Sequence, residues 1–324
     1  MTCPYPRKLG FARLFSIVCG VILTLSSYRA EAAKLSAYLI VKWEGRALEE
    51  PNLDALDALR KKFPDVPVIH LINPTYFKES AKLSGDNLEA IKKRIGDQDE
   101  VGLYMVPSGN LLRAADVMPL RKPTFWSYSE EICTTDCGLS VPLTAYGRAD
   151  VAKLMFSAHS IMNEFGFSDM QSYAVHGFVA PAGMQNVAQS LGYANDLTAV
   201  DKTMLKNYLK EYPVGQWIAS SEGSEPVENL KTWTQAGGVV EFTNDEEVIK
   251  RFTEFFKKDS DKSEAFIVSV SQESVFMNSL RLEKTIKGMR EQAAKGNDEL
   301  VFDVMTKGKK GRPIARNKSI NRKS

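Results

Sequence analysis

The residues best suited to chemistry stand where the apolar run Leu39–Gly45 ends in charge. Val and Ile followed by Gly are typical of a buried strand that leads into a loop. Because side chains alternate along a strand, Lys42 and Glu44 are predicted to share one face, with Val41 and Trp43 on the other. Side chains at such strand ends line the functional cleft of α/β folds. The sequence therefore predicts a cation and a carboxylate that face the same space.

An alternation of predicted strands and helices positions these two residues. The predicted strands are 39–45, 67–72, 101–106, 173–179, 193–200, 238–242 and 265–270, and the predicted helices are 52–63, 86–95, 149–165, 185–191, 246–257 and 276–294, with a long irregular segment at 111–142. This order is typical of a parallel barrel or a doubly wound sheet. Since no glycine-rich phosphate loop follows the first strand, the pattern argues against nucleotide binding.

The first 32 residues have the pattern of a signal peptide. A basic stretch precedes an apolar run at 14–25, and small residues follow at Ala30–Ala32, so Ala33 is the predicted mature start. The run is too short to favour a membrane span, although an uncleaved anchor stays open as the alternative. We expect a secreted protein located in the periplasm, with no transmembrane segment after cleavage.

Two cysteines, Cys133 and Cys137, remain after that cleavage. In an oxidising compartment they are predicted to form a disulfide, which by loop entropy contributes about 2 kcal/mol. A metal site is disfavoured, because a second cysteine or histidine pair is missing.

The net charge of +2 conceals an asymmetry. Residues 1–32 carry +3 and residues 307–324 carry +8, so the body at 33–306 carries −9. The basic end has no apolar periodicity and is predicted to be a disordered tail. It is suited to an anionic polymer, lipid headgroups or nucleic acid, with no specific nucleic-acid partner expected, and a purely solvated tail is the alternative.

Several segments occur in the order and spacing of one known family. They are Lys42–Arg46, Pro64–Pro67, Leu71–Phe77, Glu100–Tyr104, Pro123–Ser127, Asp136–Gly138, Ala145–Tyr146, Gly177–Gly183 and Leu191–Tyr193. Over residues 37 to 306 the chain resembles the NodB-type polysaccharide deacetylases. The resemblance implies an α/β fold, a distorted (β/α)7-type barrel at 33–306, and hydrolysis of N-acetyl groups on a glycan. It also implies a divalent metal such as zinc, held by a carboxylate and two histidines.

The chain departs from that pattern where the family places its chemistry. Lys42 stands where an Asp is expected, and Tyr104 and Val106 stand where a histidine pair is expected. Val179 replaces an arginine, and 266–271 lacks the expected His-Pro. An ammonium about 4 Å from a divalent ion would be repelled by roughly 8 kcal/mol at an effective dielectric of 20. We therefore expect no metal cofactor, with Lys42 in place of the ion and paired with a carboxylate.

The candidate site residues follow from this comparison. Glu44, Asp196 and His176 are predicted to be catalytic only if activity is retained, and the predicted carbohydrate contacts are Lys42, Tyr104, Trp126, Tyr128 and His176. His70 is expected in the core, and His159 is expected on the surface or at an interface.

The leading hypothesis is an exported, metal-free pseudoenzyme that binds cell-envelope polysaccharide or peptidoglycan. One alternative is a divergent carbohydrate deacetylase or hydrolase with a rearranged acid–base site. Another is an envelope interaction protein that binds anionic partners through its basic tail.

Overall fold

A computed structural model describes residues 34–125, 133, 137–178, 180–181, 183–201, 204–206, 227–258 and 265–306. The predicted signal peptide, the predicted tail at 307–324, Trp126 and Tyr128 lie outside the described residues.

The described residues contain one sheet of nine strands, paired in parallel throughout. The strands are β1 (Lys34–Trp43), β2 (Val68–Ile72), β3 (Glu100–Met105), β4 (Ser172–Val175), β5 (Asn195–Asp196), β6 (Lys231–Thr232), β7 (Gly238–Val239), β8 (Ala265–Ser271) and β9 (Glu299–Phe302). Their order is β6-β5-β4-β3-β2-β1-β8-β7. β9 pairs with the first residues of β1, whereas β2 pairs with the last residues of β1.

The sheet curls on itself. In a flat sheet β1 and β6, five steps apart in the strand order, would be separated by about 24 Å. The ring of Tyr38 in β1 nevertheless lies 6.0 Å from that of Trp233, the residue after β6. The predicted α/β class and the distorted barrel are therefore confirmed.

Helices cover the outside of the barrel. They are α1 (Glu50–Lys62), α2 (Ala81–Lys92), α3 (Gly109–Ala114), α4 (Arg148–Glu164), α5 (Met184–Ser190), α6 (Asp245–Lys258) and α7 (Val275–Lys295). Short 3₁₀ turns occupy Pro74–Phe77, Leu143–Ala145, His176–Phe178 and Gln272–Ser274. In the part of the chain described, no helix is long and apolar enough to cross a membrane.

Strand alternation divides the buried side chains into two layers. Tyr38 and Ile40 of β1 belong to a cluster inside the barrel, with Ile69, Leu71, Tyr104, Ala174, Leu197 and Ile267. Leu39, Val41 and Trp43 belong to the larger cluster beneath the helices. Lys42 continues the inner series, so the predicted division of this strand into two faces is confirmed.

Some predicted boundaries were wrong. The strand predicted at 173–179 ends at Val175, because Gly177 takes a left-handed backbone with φ +81° and turns the chain. The strand predicted at 193–200 is reduced to Asn195–Asp196 and an isolated bridge between Val200 and Gln235. α3 extends into the segment predicted to be irregular, and β9 was not predicted.

The predicted disulfide is present. Cys133 and Cys137 are joined, with their Cα atoms 5.6 Å apart. Cys137 is 8% exposed and packs into the outer cluster, so the bond fixes this loop to the core.

Candidate functional site

Lys42 and Glu44 lie where β1 leaves the barrel, at the end called the mouth here. Lys42 is the second-last residue of β1, is only 4% exposed, and has Ser271, the last residue of β8, as its register partner. Gly45 then turns the chain with φ +93°. A Cβ on Gly45 would lie 2.8 Å from the Asn73 side-chain nitrogen, which donates to the Glu44 carbonyl at 2.9 Å. A residue with a side chain is therefore strained at position 45, and Glu44 is held at the mouth.

The Lys42 ammonium lies over an aromatic face. Its Nζ is 5.3 Å from the centre of the Phe178 ring, within the range of a cation–π contact. Phe178 has φ +65° and directly follows Gly177, so two consecutive residues adopt the left-handed region. For an aromatic residue this backbone is uncommon and costs free energy. The turn after β4 thus stores strain in placing this ring over the cation.

His176 lies near enough to Lys42 to be affected by its charge. Burial, as the largest cause, and the charges of Lys42 and Arg46 together lower the pKa of the imidazole to about 4. Its Nδ1 is 3.1 Å from the Tyr104 hydroxyl, and the imidazole also donates to the Leu139 backbone carbonyl. His176 is therefore a neutral ring at pH 7 whose hydrogen bonds are taken by the protein.

Two carboxylates that the sequence analysis did not single out complete the mouth. Glu273, in the turn after β8, accepts hydrogen bonds from the Glu44 backbone N–H at 2.9 Å and from the Tyr76 hydroxyl at 2.7 Å. Glu241, two residues after β7, accepts from the Ser271 backbone N–H and, at 3.0 Å, from the Ser274 hydroxyl. Glu273 closely follows the strand predicted at 265–270 and Glu241 lies near the end of the one predicted at 238–242, which is the signal that could have identified them.

The pKa values of Glu44 and Glu273 are both raised. Burial is the largest cause for each carboxyl group. For Glu44 the second cause is the charge of Lys42, which lowers the pKa, and the third is the charge of Glu241, which raises it. For Glu273 the charge of Glu44 is the second cause, and it acts upward. Two interacting carboxyls with raised pKa values are typical of functional sites.

The prediction that Asp196 joins Glu44 and His176 requires a correction. Asp196 is 1% exposed, and its carboxylate accepts from the Tyr173 hydroxyl at 2.8 Å and from the Gln185 amide at 3.1 Å. Tyr173 belongs to the outer cluster, whereas the next residue, Leu197, belongs to the inner one. Asp196 therefore points toward the helices and has a structural role there.

The other aromatic and histidine predictions have mixed outcomes. Tyr104 is buried in the inner layer at the mouth, while Trp126 and Tyr128 lie outside the described residues. Trp43 packs in the outer layer as predicted, and its indole donates to His70 at 3.1 Å. His70 is fully buried and its prediction as a core residue is confirmed. His159 is half-buried against Tyr193.

The donor set does not fit a catalytic divalent metal. Among the described residues, no group of three or more histidine, cysteine, aspartate and glutamate side chains is placed to hold an ion. The imidazole of His176 is already hydrogen-bonded, and Lys42 places a positive charge beside it. A zinc site normally needs at least three protein ligands, which the described residues of the mouth do not offer.

Comparisons with known proteins find likenesses among solved structures alone. No family model and no curated protein matches the sequence. The chain aligns with solved structures of the polysaccharide deacetylase type over most of its length. A candidate polysaccharide deacetylase from Mycobacterium smegmatis has 10% identity and a TM-score of 0.46, over 86% of this chain and 90% of that chain.

Other similar structures have different activities. A CE4 family pseudoenzyme from Bacillus anthracis has 11% identity and a TM-score of 0.38, over 84% of this chain and 68% of that chain. A 4-alpha-glucanotransferase from Thermococcus litoralis has 10% identity and a TM-score of 0.43, over 84% of this chain and 39% of that chain. Such likenesses decide neither activity nor ligand, so the function must be argued from the residues at the mouth.

Proposed function

We propose that this protein binds carbohydrate of the cell envelope at the mouth of the barrel and does so without a metal ion. The observation that carries the proposal is the buried ammonium of Lys42, which lies over the Phe178 ring and is close enough to His176 and Glu44 for its charge to lower the pKa of both groups. This cation belongs to the chain itself. It occupies the position at which the family resemblance implies an acidic residue that faces the metal.

The groups around Lys42 suit a sugar. Carbohydrates present hydroxyl groups, which need both donors and acceptors, and apolar C–H faces, which pack on aromatic rings. Lys42 and Arg46 supply donors, Glu44 and Glu241 supply acceptors, and Phe178 supplies a partly exposed ring face. The predicted export of the chain favours polysaccharide or peptidoglycan as the source of the sugar.

A buried hydroxyl beneath the site also supports a ligand. Ser269 of β8 is fully buried, and its Oγ has no hydrogen-bond partner among the described residues. It pairs in register with Ile40, one step below the pair formed by Lys42 and Ser271, so it faces the barrel interior. Leaving such a group unpaired costs about 1–3 kcal/mol, which a hydrogen-bonding ligand group would offset.

Calorimetric titration of the purified protein with chitohexaose tests this proposal. We expect saturable binding that Lys42→Met weakens by at least about tenfold. Lys231→Met is the matched control, because Lys231 also lies over an aromatic ring, 3.5 Å from the centre of Trp233, but is the first residue of β6 and does not lie at the mouth. Equal weakening by both substitutions, or no binding of chitohexaose and soluble peptidoglycan fragments, would contradict the proposal.

A second function, acid–base hydrolysis of a glycan, is favoured by the paired carboxyls Glu44 and Glu273. A carboxyl with a raised pKa can act as a general acid at neutral pH, and its partner can act as the base. In this alternative Glu273 takes the role that the sequence analysis gave to Asp196. Mass spectrometry of chitohexaose after incubation tests it, since acetate release or chain cleavage abolished by Glu44→Gln would establish turnover.

For the basic tail we propose contact with an anionic polymer. Thr306 is the described residue that directly precedes the tail. Its backbone N–H donates a hydrogen bond of 3.1 Å to the carboxylate of Glu100, the first residue of β3. The tail therefore starts at the end of the barrel opposite the mouth. Deletion of 307–324 should remove salt-sensitive retention on heparin while leaving chitohexaose affinity unchanged, and loss of both would argue against separate functions.

A further inference from the structure

A serine hydroxyl donates to a carboxylate at the mouth. The Ser271 Oγ is 2.7 Å from Oε2 of Glu273, which is the distance expected between a nucleophile and its general base. Ser271 belongs to the inner series of β8, because Ala265 and Ile267 of the inner cluster precede it at alternate positions. The pair therefore faces the inside of the barrel at its open end.

This hydroxyl does not act as a helix cap. Ser271 directly precedes the 3₁₀ turn Gln272–Ser274, and a serine at such a position normally accepts a hydrogen bond from a backbone N–H of the turn. In the described structure the Ser271 side chain makes no such cap bond. Its backbone N–H is bonded to Glu241 instead. Capping therefore does not explain the hydroxyl, whose single proton is directed at Glu273.

Glu273 is fixed as a base by distant parts of the chain. Its Oε1 accepts from the Tyr76 hydroxyl at 2.7 Å and from the Glu44 backbone N–H at 2.9 Å, which leaves Oε2 for Ser271. Burial, as the largest cause, and then the charge of Glu44 raise the pKa of Glu273. A carboxylate with a raised pKa takes up a proton more readily. A nucleophile, a base and groups that orient the base are therefore all present.

Lys42 supplies a positive charge on the same face. It is the register partner of Ser271 on the neighbouring strand, so both side chains point to the barrel interior. A fixed positive charge stabilises the oxyanion that forms when a hydroxyl attacks a carbonyl carbon. Lys42 is 4% exposed and Ser271 is 6% exposed, so little of either is reachable from outside. This access suits a small acyl group.

We propose that Ser271 is the nucleophile of an acyl-transfer site, with Glu273 as its general base, and that the site hydrolyses esters of small carboxylic acids. This activity goes beyond the proposed sugar binding and does not depend on it.

The reaction has two steps in which Glu273 carries the proton. First the Ser271 oxygen bonds to the ester carbonyl carbon while Glu273 takes the hydroxyl proton. The bond to the alcohol oxygen then breaks, and Glu273 gives the proton to the departing alcohol. In the second step water attacks the acyl-serine, Glu273 takes a proton from the water, and the Ser271 oxygen receives it as the acid leaves. One ester and one water thus give one alcohol and one acid.

The probe 4-nitrophenyl acetate tests this activity on the full-length protein. The wild type should release 4-nitrophenolate, and peptide mass spectrometry after an acid quench should place an acetyl group on Ser271. Ser271→Ala should abolish release. Glu273→Gln keeps an acceptor for Tyr76 and Glu44 but removes the base, so release should slow by at least about 100-fold. Ser279→Ala is the control and should keep the wild-type rate, because the Ser279 hydroxyl donates to a backbone carbonyl of α7 at 3.0 Å.

Three results would overturn the proposal: no release by the wild type above buffer, an acetyl group on another residue, or release that survives Ser271→Ala. Thermal melts establish that each variant folds. If Ser271→Ala does not fold, labelling of the wild type with a fluorophosphonate decides, since the labelled peptide must contain Ser271. Calorimetry with chitohexaose on the same samples separates the two proposals. Sugar binding without ester hydrolysis would refute the acyl transfer alone, and ester hydrolysis without sugar binding would refute only the proposed function.

Discussion

Replacement of Lys42 by Met should change the titration of His176. Burial is the largest cause of the low pKa of His176, and the charge of Lys42 is the next. Met has a similar length and no charge, so Lys42→Met removes the electrostatic contribution while largely keeping the packing. The pKa of His176 is therefore expected to rise from about 4 and to stay below 6.5, because the burial remains.

The size of this rise follows from Coulomb's law. Two unit charges about 6 Å apart interact by about 3 kcal/mol at an effective dielectric of 20, which corresponds to about two pKa units. Because the mouth is partly open to water and holds carboxylates, we expect about half of this, a rise of about one unit. The wild-type histidine is kept neutral in the fold, so it contributes stability that is complete above pH 6.5 and lost as the pH falls toward 4. The variant should lose less stability over that range.

Proton NMR of the imidazole C–H signals measures both proteins between pH 3 and 8. The chain has three histidines, so single His→Gln variants assign the signals. His159 serves as the internal reference, because its pKa is lowered by burial alone and should not move. An unchanged pKa of His176 in Lys42→Met would refute the placement of the ammonium beside the imidazole. An equal shift at His159 would show a general structural change instead.

Five further substitutions, two of them controls, test the charges and packing of the mouth and of the rest of the barrel. Glu44→Gln should be more stable than the wild type at pH 8 and equally stable below about pH 4, because the pKa of Glu44 is raised in the fold and the wild-type fold therefore loses stability as the pH rises. Urea denaturation at several pH values measures the free energy of unfolding of both proteins. A difference between them that grows toward acidic pH would contradict the expectation. Asp99→Asn should destabilise the fold by about 2–4 kcal/mol, because the fully buried carboxylate of Asp99 accepts hydrogen bonds from an arginine, a histidine and two backbone N–H groups. The control is Asp97→Asn, which should change stability by less than about 0.5 kcal/mol because Asp97 is exposed. Gly102→Ala should lower the melting temperature, because its Cβ would lie 2.4 Å from a backbone oxygen of β4. Gly85 lies in α2, and a Cβ at this position would have no atom within 4 Å, so Gly85→Ala should raise stability by about 0.5–1 kcal/mol. Equal effects of the two alanine substitutions would argue against the close packing at Gly102.

The fold was predictable because its signals are local. Apolar strands such as Val68–Ile72 and the amphipathic α4 are set by residues close in sequence, and their alternation selects a parallel α/β class. The first half of β1 was missed, because Lys34 and Ser36 interrupt the apolar pattern before Leu39. β9 was missed because it has only four residues, two of them half-buried, so its sequence shows little of the alternation of apolar and polar residues that predicts a strand.

The site was only half predictable, because its members meet through turns rather than strands. Lys42, Glu44 and His176 could be named as candidates from the sequence, since each lies in or near the end of a predicted strand, and their role stays a prediction. Glu273 reaches the mouth through a 3₁₀ turn whose geometry no periodicity signals. Asp196 was misplaced because β5 pairs over only two residues, too few for the sequence to fix which side chain faces inward.

The central claim is that the cation of the mouth is Lys42 and that sugar binding needs no metal. Calorimetry with chitohexaose on protein treated with EDTA, before and after addition of zinc, tests this claim most directly. The account predicts the same Kd in both states, and zinc content well below one ion per chain after dialysis. Saccharide binding that appears only when zinc is restored, with one zinc bound per chain, would contradict it.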